Sequence, residues 1–198
     1  MAEKNLYDTE HFNRRSLTYE NSLDQLLWFN RLQRRALRMV EKGFTPRVVL
    51  DVGCGTGRLL RKAKVCWPKA QFIGVDPAEG MIENARRLMP DAKFCVGQAE
   101  SLPLPDASVD LVFSTVSFNF WQDQEKGLGE IRRVLQVGGR LFLVDVWPPF
   151  GLSRFIRRFE VNNPDVLRET FRRMRFQLRD QRIWWTFWLV VTVGDRRS

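Results

Sequence analysis

The chain has 198 residues, 44% hydrophobic and 28% charged, which suits one domain with a full core and excludes a disordered, collagen-like or coiled-coil chain. The formal charge of +9 lies in the flanks: residues 51–150 hold 12 basic and 12 acidic side chains, residues 1–50 hold 9 against 6, and residues 151–198 hold 11 against 5. One histidine, His11, excludes a two-histidine metal site and most imidazole catalysis, and three cysteines without C-x-x-C spacing exclude a four-thiolate zinc site, so no metal is expected.

The opening, to about Leu17, has little periodicity and reads as a mobile arm; being polar, it lacks the apolar stretch of a secretory signal. Ser22-Leu23-Asp24-Gln25 has the form of a capping box, and Leu26, Phe29, Ala36, Met39 and Val40 then recur at helical spacing, predicting a helix from Ser22 to Lys42 that Gly43 and Pro46 end. Val48-Val49-Leu50 reads as a strand, followed by a glycine-rich turn and a helix carrying Leu59, Leu60 and Ala63. The unit repeats as strand Gln71–Val75, helix Glu79–Leu88, strand Lys93–Val96 and, after a proline-punctuated loop, strand Val109–Ser114. Asp123 can cap a helix whose apolar face is Leu128, Ile131 and Leu135, with Gly138-Gly139 as its stop and Arg140–Val146 as the next strand. Asn163-Pro164 opens one more helix. Phe176 to Val193 is rich in Trp, Phe, Val and Thr with no helix between, so its two strands must be antiparallel and form a terminal hairpin on the sheet edge. Apolar strands alternating with amphipathic helices give a doubly wound, mostly parallel α/β sheet. Its longest apolar run, Ile183 to Val191, is about half of the roughly 20 residues a membrane-spanning helix needs. A cytoplasmic protein is therefore the expectation.

The most specific motif is Asp51-Val52-Gly53-Cys54-Gly55-Thr56-Gly57, between the first strand and its helix. Open α/β sheets bind ligands at the carboxyl ends of their strands, where glycines allow close approach. A dinucleotide loop reads G-x-G-x-x-G and aims a helix N-terminus at a pyrophosphate. Here the spacing is G-x-G-x-G, and the carboxylate of Asp51 would repel a pyrophosphate and attract a cation. Asp76, ending the second strand, can accept from both hydroxyls of a ribose. Adenosine joined to a cation describes S-adenosylmethionine.

With Ile73-Gly74-Val75-Asp76, Gly97-Gln98-Ala99-Glu100, Val109-Asp110-Leu111-Val112 and Glu130 to Leu141 following in order, residues from about Val48 to Val146 resemble the class I S-adenosylmethionine-dependent methyltransferases. They are most similar to the ubiquinone/menaquinone-biosynthesis branch, whose fold is a seven-stranded Rossmann-like sheet. The resemblance implies that Asp51, Gly53, Cys54, Gly55 and Gly57 hold the methionine portion and Asp76 the ribose, with Pro77 and Met81 along the adenine and Gln98 and Ala99 at its edge. Many relatives have Asp where Gln98 stands; an amide oxygen still accepts a hydrogen bond. The product would be S-adenosylhomocysteine. One domain is expected over residues 1–198, with an arm and lid helix in 1–45, the cofactor-binding core in 46–150 and a helix with edge strands in 151–198.

Thr115-Val116-Ser117-Phe118-Asn119-Phe120-Trp121 presents neither the N-P-P-Y or D-P-P-Y of enzymes that modify base amines nor a nucleophilic cysteine. Its aromatic residues suggest an apolar wall, and equally a face packed by the next helix. No catalytic base is assigned; Tyr7, His11 and Tyr19 precede the lid helix. Arg154, Arg157, Arg158, Arg168, Arg172, Arg173 and Arg175 alternate with Phe155, Ile156, Phe159, Leu167, Phe171 and Met174, as a solvated amphipathic surface requires. A small-molecule acceptor is the favoured partner. The alternatives are an RNA methyltransferase using the basic flanks and a scaffold that binds the cofactor without turnover.

Overall fold

The computed structural model describes residues 9–20, 29–40, 44–146, 163–184 and 189–197. β-Branched and aliphatic runs form seven strands: β1 Val48–Val52, β2 Gln71–Asp76, β3 Lys93–Val96, β4 Val109–Thr115, β5 Leu135–Val146, β6 Phe176–Trp184 and β7 Leu189–Arg196. They make one sheet in the order β3-β2-β1-β4-β5-β7-β6. The first five are parallel, and β7 runs antiparallel to both β5 and β6. The doubly wound sheet and its antiparallel end are as the sequence predicts. The connection between β6 and β7 falls on residues 185–188, outside the described residues.

Helices α1 Thr9–Tyr19, α2 Asn30–Val40, α3 Arg58–Cys66, α4 Glu79–Leu88, α5 Gln124–Val134 and α6 Pro164–Arg173 accompany the strands, with a short 3-10 turn at Phe118–Phe120. Successive strand residues face opposite ways, so Phe142 and Val144 of β5 join a buried cluster with Leu37 of α2, Leu60 of α3 and Ile82 of α4. Leu141 and Leu143 join a second cluster with Leu128 and Ile131 of α5 and Phe171 of α6. The Asp123 carboxylate accepts from the Lys126 amide at the start of α5, and the side chain of Asn163, just before Pro164 of α6, accepts from the Asp165 amide.

Two readings are corrected and a third is described in part. The opening is a helix from Thr9 rather than an arm without structure, and it docks on α4: Asn13 Oδ1 accepts from the Gly80 amide at 2.9 Å and Asn84 Nδ2 donates to the Ser16 carbonyl at 3.0 Å. The helix predicted from Ser22 to Lys42 is described only as Asn30–Val40; its capping box and its last residues lie outside the described residues. Helix α5 ends at Val134, and Leu135, assigned to its apolar face, already belongs to β5. Gly138, at φ 80°, turns the chain within that strand rather than ending a helix, beside a register shift between Val109 and Leu111.

Candidate active site

Strand order reverses between β1 and β4, and the crevice this opens at their carboxyl ends holds the candidate site. Among the described residues it is a cavity of about 170 Å³. Asp51, Gly53, Cys54, Gly55, Asp76, Pro77, Met81, Gln98 and Ala99 all line it. Gly57 does not. It precedes α3 at φ 74°, where a Cβ would come within 2.8 Å of the Phe94 ring, so its missing side chain serves packing beneath the loop.

The loop between β1 and α3 spends its amides internally. The Gly53 and Cys54 amides donate to the Val75 carbonyl at 2.8 and 3.1 Å, the Gly57 amide to the Cys54 carbonyl at 2.9 Å, and the Gly55 amide to Asp76 Oδ2 at 2.8 Å. A phosphate-binding loop keeps such donors free for its anion. Here the open functionality is an acceptor: Asp51 is 1% exposed, and its Oδ1 has no hydrogen-bond partner. Burial, with the charge of Asp76 adding to it, pushes the Asp51 carboxyl up to about 8. A buried, unpartnered carboxylate beside a cavity is what a cationic ligand would satisfy. Gly53, at φ 75°, has no room for a Cβ because the Ser117 side chain lies against it. Asp76 Oδ1 also accepts from the Ala78 amide at 2.9 Å, so both carboxylate oxygens face backbone donors while keeping lone pairs to spare. Burial raises its pKa against the lowering by the Ala78 and Gly55 amides.

The far wall is aromatic. Phe12 of α1, Phe29, Phe120 and Trp121 line the same cavity, with Phe12 edge-on to Phe120 at 5.7 Å between ring centroids and Trp121 edge-on to the buried Phe118 at 4.9 Å. Val116, between β4 and this wall, sits at φ 53°, a position β-branched residues rarely take, held by its amide donating to the Val144 carbonyl at 2.7 Å. Asn119 anchors the 3-10 turn on the buried Asp145, donating from its amide at 3.1 Å and from Nδ2 at 2.7 Å.

Sequence reasoning read Phe29 only as an apolar helix position and assigned no role to Phe12, Gln33, Glu20 or Lys62. Glu20, just past α1, accepts from Thr56 of the glycine loop and forms ion pairs of 2.9 Å with both Arg58 and Arg61 of α3. Burial alone would raise its pKa, but the hydrogen bonds from Thr56 and Arg61 and the charges of Arg61 and Arg58 outweigh that and hold it low. Gln33, on the inward face of α2, lines the cavity and accepts from Lys62 Nζ of α3 at 2.5 Å. Burial, then the charges of Arg58, Arg34 and Arg61, bring Lys62 down to about 8.

A family model described as a methyltransferase domain matches residues 50–143. Residues 50–143 thus carry a methyltransferase domain, similar to the class I S-adenosylmethionine-dependent methyltransferases. The chain is 38% identical over 142 residues to the demethylmenaquinone methyltransferase of Thermus thermophilus, covering 66% of this chain and 64% of that protein. It is 34% identical over 160 residues to the malonyl-[acyl-carrier protein] O-methyltransferase of Xylella fastidiosa, covering 78% and 54%. The chain thus spans somewhat over half the length of these two relatives. In fold it matches the crystal structure of an Aquifex aeolicus S-adenosylmethionine-dependent methyltransferase with a TM-score of 0.75 at 19% identity, covering 96% of this chain and 99% of that one. S-Adenosylmethionine is the cofactor of such a domain, and the orphaned Asp51 oxygen, the open glycine turn and the Asp76 acceptors of this methyltransferase core fit its ammonium, its close approach and its ribose. No helix among the described residues is long and apolar enough to cross a membrane.

Proposed function

We propose that the protein moves a methyl group from S-adenosylmethionine to a small, partly apolar acceptor. The carrying observation is one cavity with two unlike ends: a buried carboxylate lacking a partner on Asp51, and a wall of Phe12, Phe29, Phe120 and Trp121. When bound, S-adenosylmethionine supplies a methyl group on a sulfonium, an electrophile open to in-line displacement. Asp51 and the turn Gly53-Cys54-Gly55 hold its amino-acid portion, Asp76 its ribose, and Pro77, Met81, Gln98 and Ala99 its adenine, each from its place on the cavity. The aromatic wall excludes water and confines the acceptor, so that placement supplies much of the rate. Relatives named for quinone and malonyl-carrier substrates support a small acceptor group. Among the described residues three of the C-terminal arginines sit in surface ion pairs, Arg168 with Asp165, Arg172 with Glu169 and Arg173 with Glu125. Arg154, Arg157 and Arg158 lie outside the described residues.

The test is transfer of labelled methyl from S-adenosylmethionine into a small-metabolite extract compared with total RNA, with S-adenosylhomocysteine binding measured by calorimetry. Label in small, extractable products is expected. Label confined to RNA would replace the acceptor class, and cofactor binding without transfer to anything would favour the scaffold reading.

A further inference from the structure

Gln33 is a polar residue at the apolar end of the cavity, 6% exposed and carried on the same helix turn as Leu32 and Ala36, both buried. Its amide orientation follows from its neighbour. Lys62 Nζ, 2.5 Å away, is an ammonium at neutral pH and can only donate, so the atom facing it is the amide oxygen. The NH₂ end therefore points the other way, and among the described residues it donates to nothing. A side chain lining a cavity, with its acceptor occupied and its two donors free, has one kind of complement: an oxygen with lone pairs.

Resting on the methyl-transfer reading above, we propose that Gln33 is a specificity-determining residue that donates to an oxygen of the acceptor molecule, so that the substrate class is a partly apolar compound bearing a phenolate or carbonyl oxygen. Lys62 is a positioning residue: by holding the amide oxygen it fixes which end of Gln33 the substrate meets. An ammonium group, offering only donors, would leave the Gln33 N–H groups unpaired and is selected against. The cation behind the amide polarises it toward a stronger donor, which favours the charged oxygen of a phenolate over the neutral phenol. Helix α2 thus contributes the polar contact, while Phe12, Phe29 and Phe120 contribute the apolar walls around it.

The probe is 4-nitrophenol, whose ionised form is followed by its absorbance, titrated into the full chain with S-adenosylhomocysteine present. The wild type is expected to bind the phenolate and to lower the pH at which the bound probe ionises. In Gln33→Leu, phenolate affinity should drop about tenfold or more, the loss expected for a hydrogen bond to a charged oxygen, and the ionisation shift should vanish. Lys62→Met, which leaves Gln33 in place but frees the amide to turn, should lose most of the shift, and Lys62→Arg should restore it. Equal binding of 4-nitrotoluene, no binding of 4-nitrophenolate, or an ionisation shift that survives in both Gln33→Leu and Lys62→Met would overturn the proposal. S-Adenosylhomocysteine binding in the same samples separates the two levels: its absence from wild type sinks the methyltransferase reading, whereas its presence without the phenolate effect sinks only the role of Gln33.

Discussion

On the proposed assignment of Asp51 to the cofactor's ammonium, its burial should make cofactor binding a proton-releasing event. Burial and the neighbouring Asp76 push its carboxyl up to about 8, so at pH 6 to 7 the ligand-free protein holds a proton there. A folded-state pKa raised above the unfolded one contributes stability that is fully present below the ordinary carboxylate range and is lost as pH rises toward 8. A cation entering the cavity favours the ionised form and expels the proton. Affinity for S-adenosylhomocysteine, whose ammonium is the cation concerned, should therefore climb with pH by up to about tenfold per unit below 8 and flatten above it. Calorimetry at pH 6.5 in buffers of different ionisation enthalpy should show up to about one proton released per ligand bound. Asp51→Asn should remove both the slope and the buffer dependence, with weaker binding at pH 8. Equal affinity at pH 6 and 8, with heats that do not vary with buffer, would refute the assignment of Asp51 as the cation's partner.

Asp76→Ala should weaken S-adenosylhomocysteine binding by about tenfold or more, since each hydrogen bond to a charged group is worth roughly 1.5–3 kcal/mol; unchanged affinity in a calorimetric titration would remove the ribose role. Glu20→Gln should loosen α1 from the glycine loop by weakening the pairs with Arg58 and Arg61, and trypsin should then cut at Arg14 or Arg15 about tenfold faster, tracking the population of the open form. Because the folded-state pKa of Glu20 is held low, its contribution is present above the ordinary carboxylate range and lost as pH falls through the folded value, so wild-type α1 should also become cleavable in acid by a protease active there, such as pepsin. Cleavage indifferent to the substitution would argue against Glu20 as the group that holds α1 to the glycine loop.

What the sequence shows of this protein depends on how local each signal is. Helix α4 and strand β3 fall where periodicity puts them, and the caps Asp123 and Asn163 are read from neighbours two or three residues away. The loop from Asp51 to Gly55 and its partner Asp76 are legible because one strand-turn-helix unit carries the turn and the next strand ends beside it. Leu135 misleads because it is fully buried either as the last turn of a helix or as the first residue of a strand, so burial pattern alone does not distinguish them. Helix α1 escapes notice because polar contacts to Gly80 and Asn84 hold it, and these leave no trace in hydrophobic spacing. Glu20 and Gln33 gain meaning only from Thr56, Arg61 and Lys62, which the fold brings to them from 29 or more positions away.

The sheet order has a consequence for biosynthesis. Strand β7 lies between β5 and β6, so the hydrogen-bonding edge of β5 from Arg140 to Val146 waits for residues 189–196 before it is paired. During synthesis the emerging chain therefore carries a long apolar edge, with Phe142 and Val144 uncovered until Val191 and Val193 arrive to share their cluster. The late strand acts as the closing stave of a cask. Nascent chains arrested before Leu189 are expected to be readily digested by protease and to associate with one another, while chains released after Arg196 resist both.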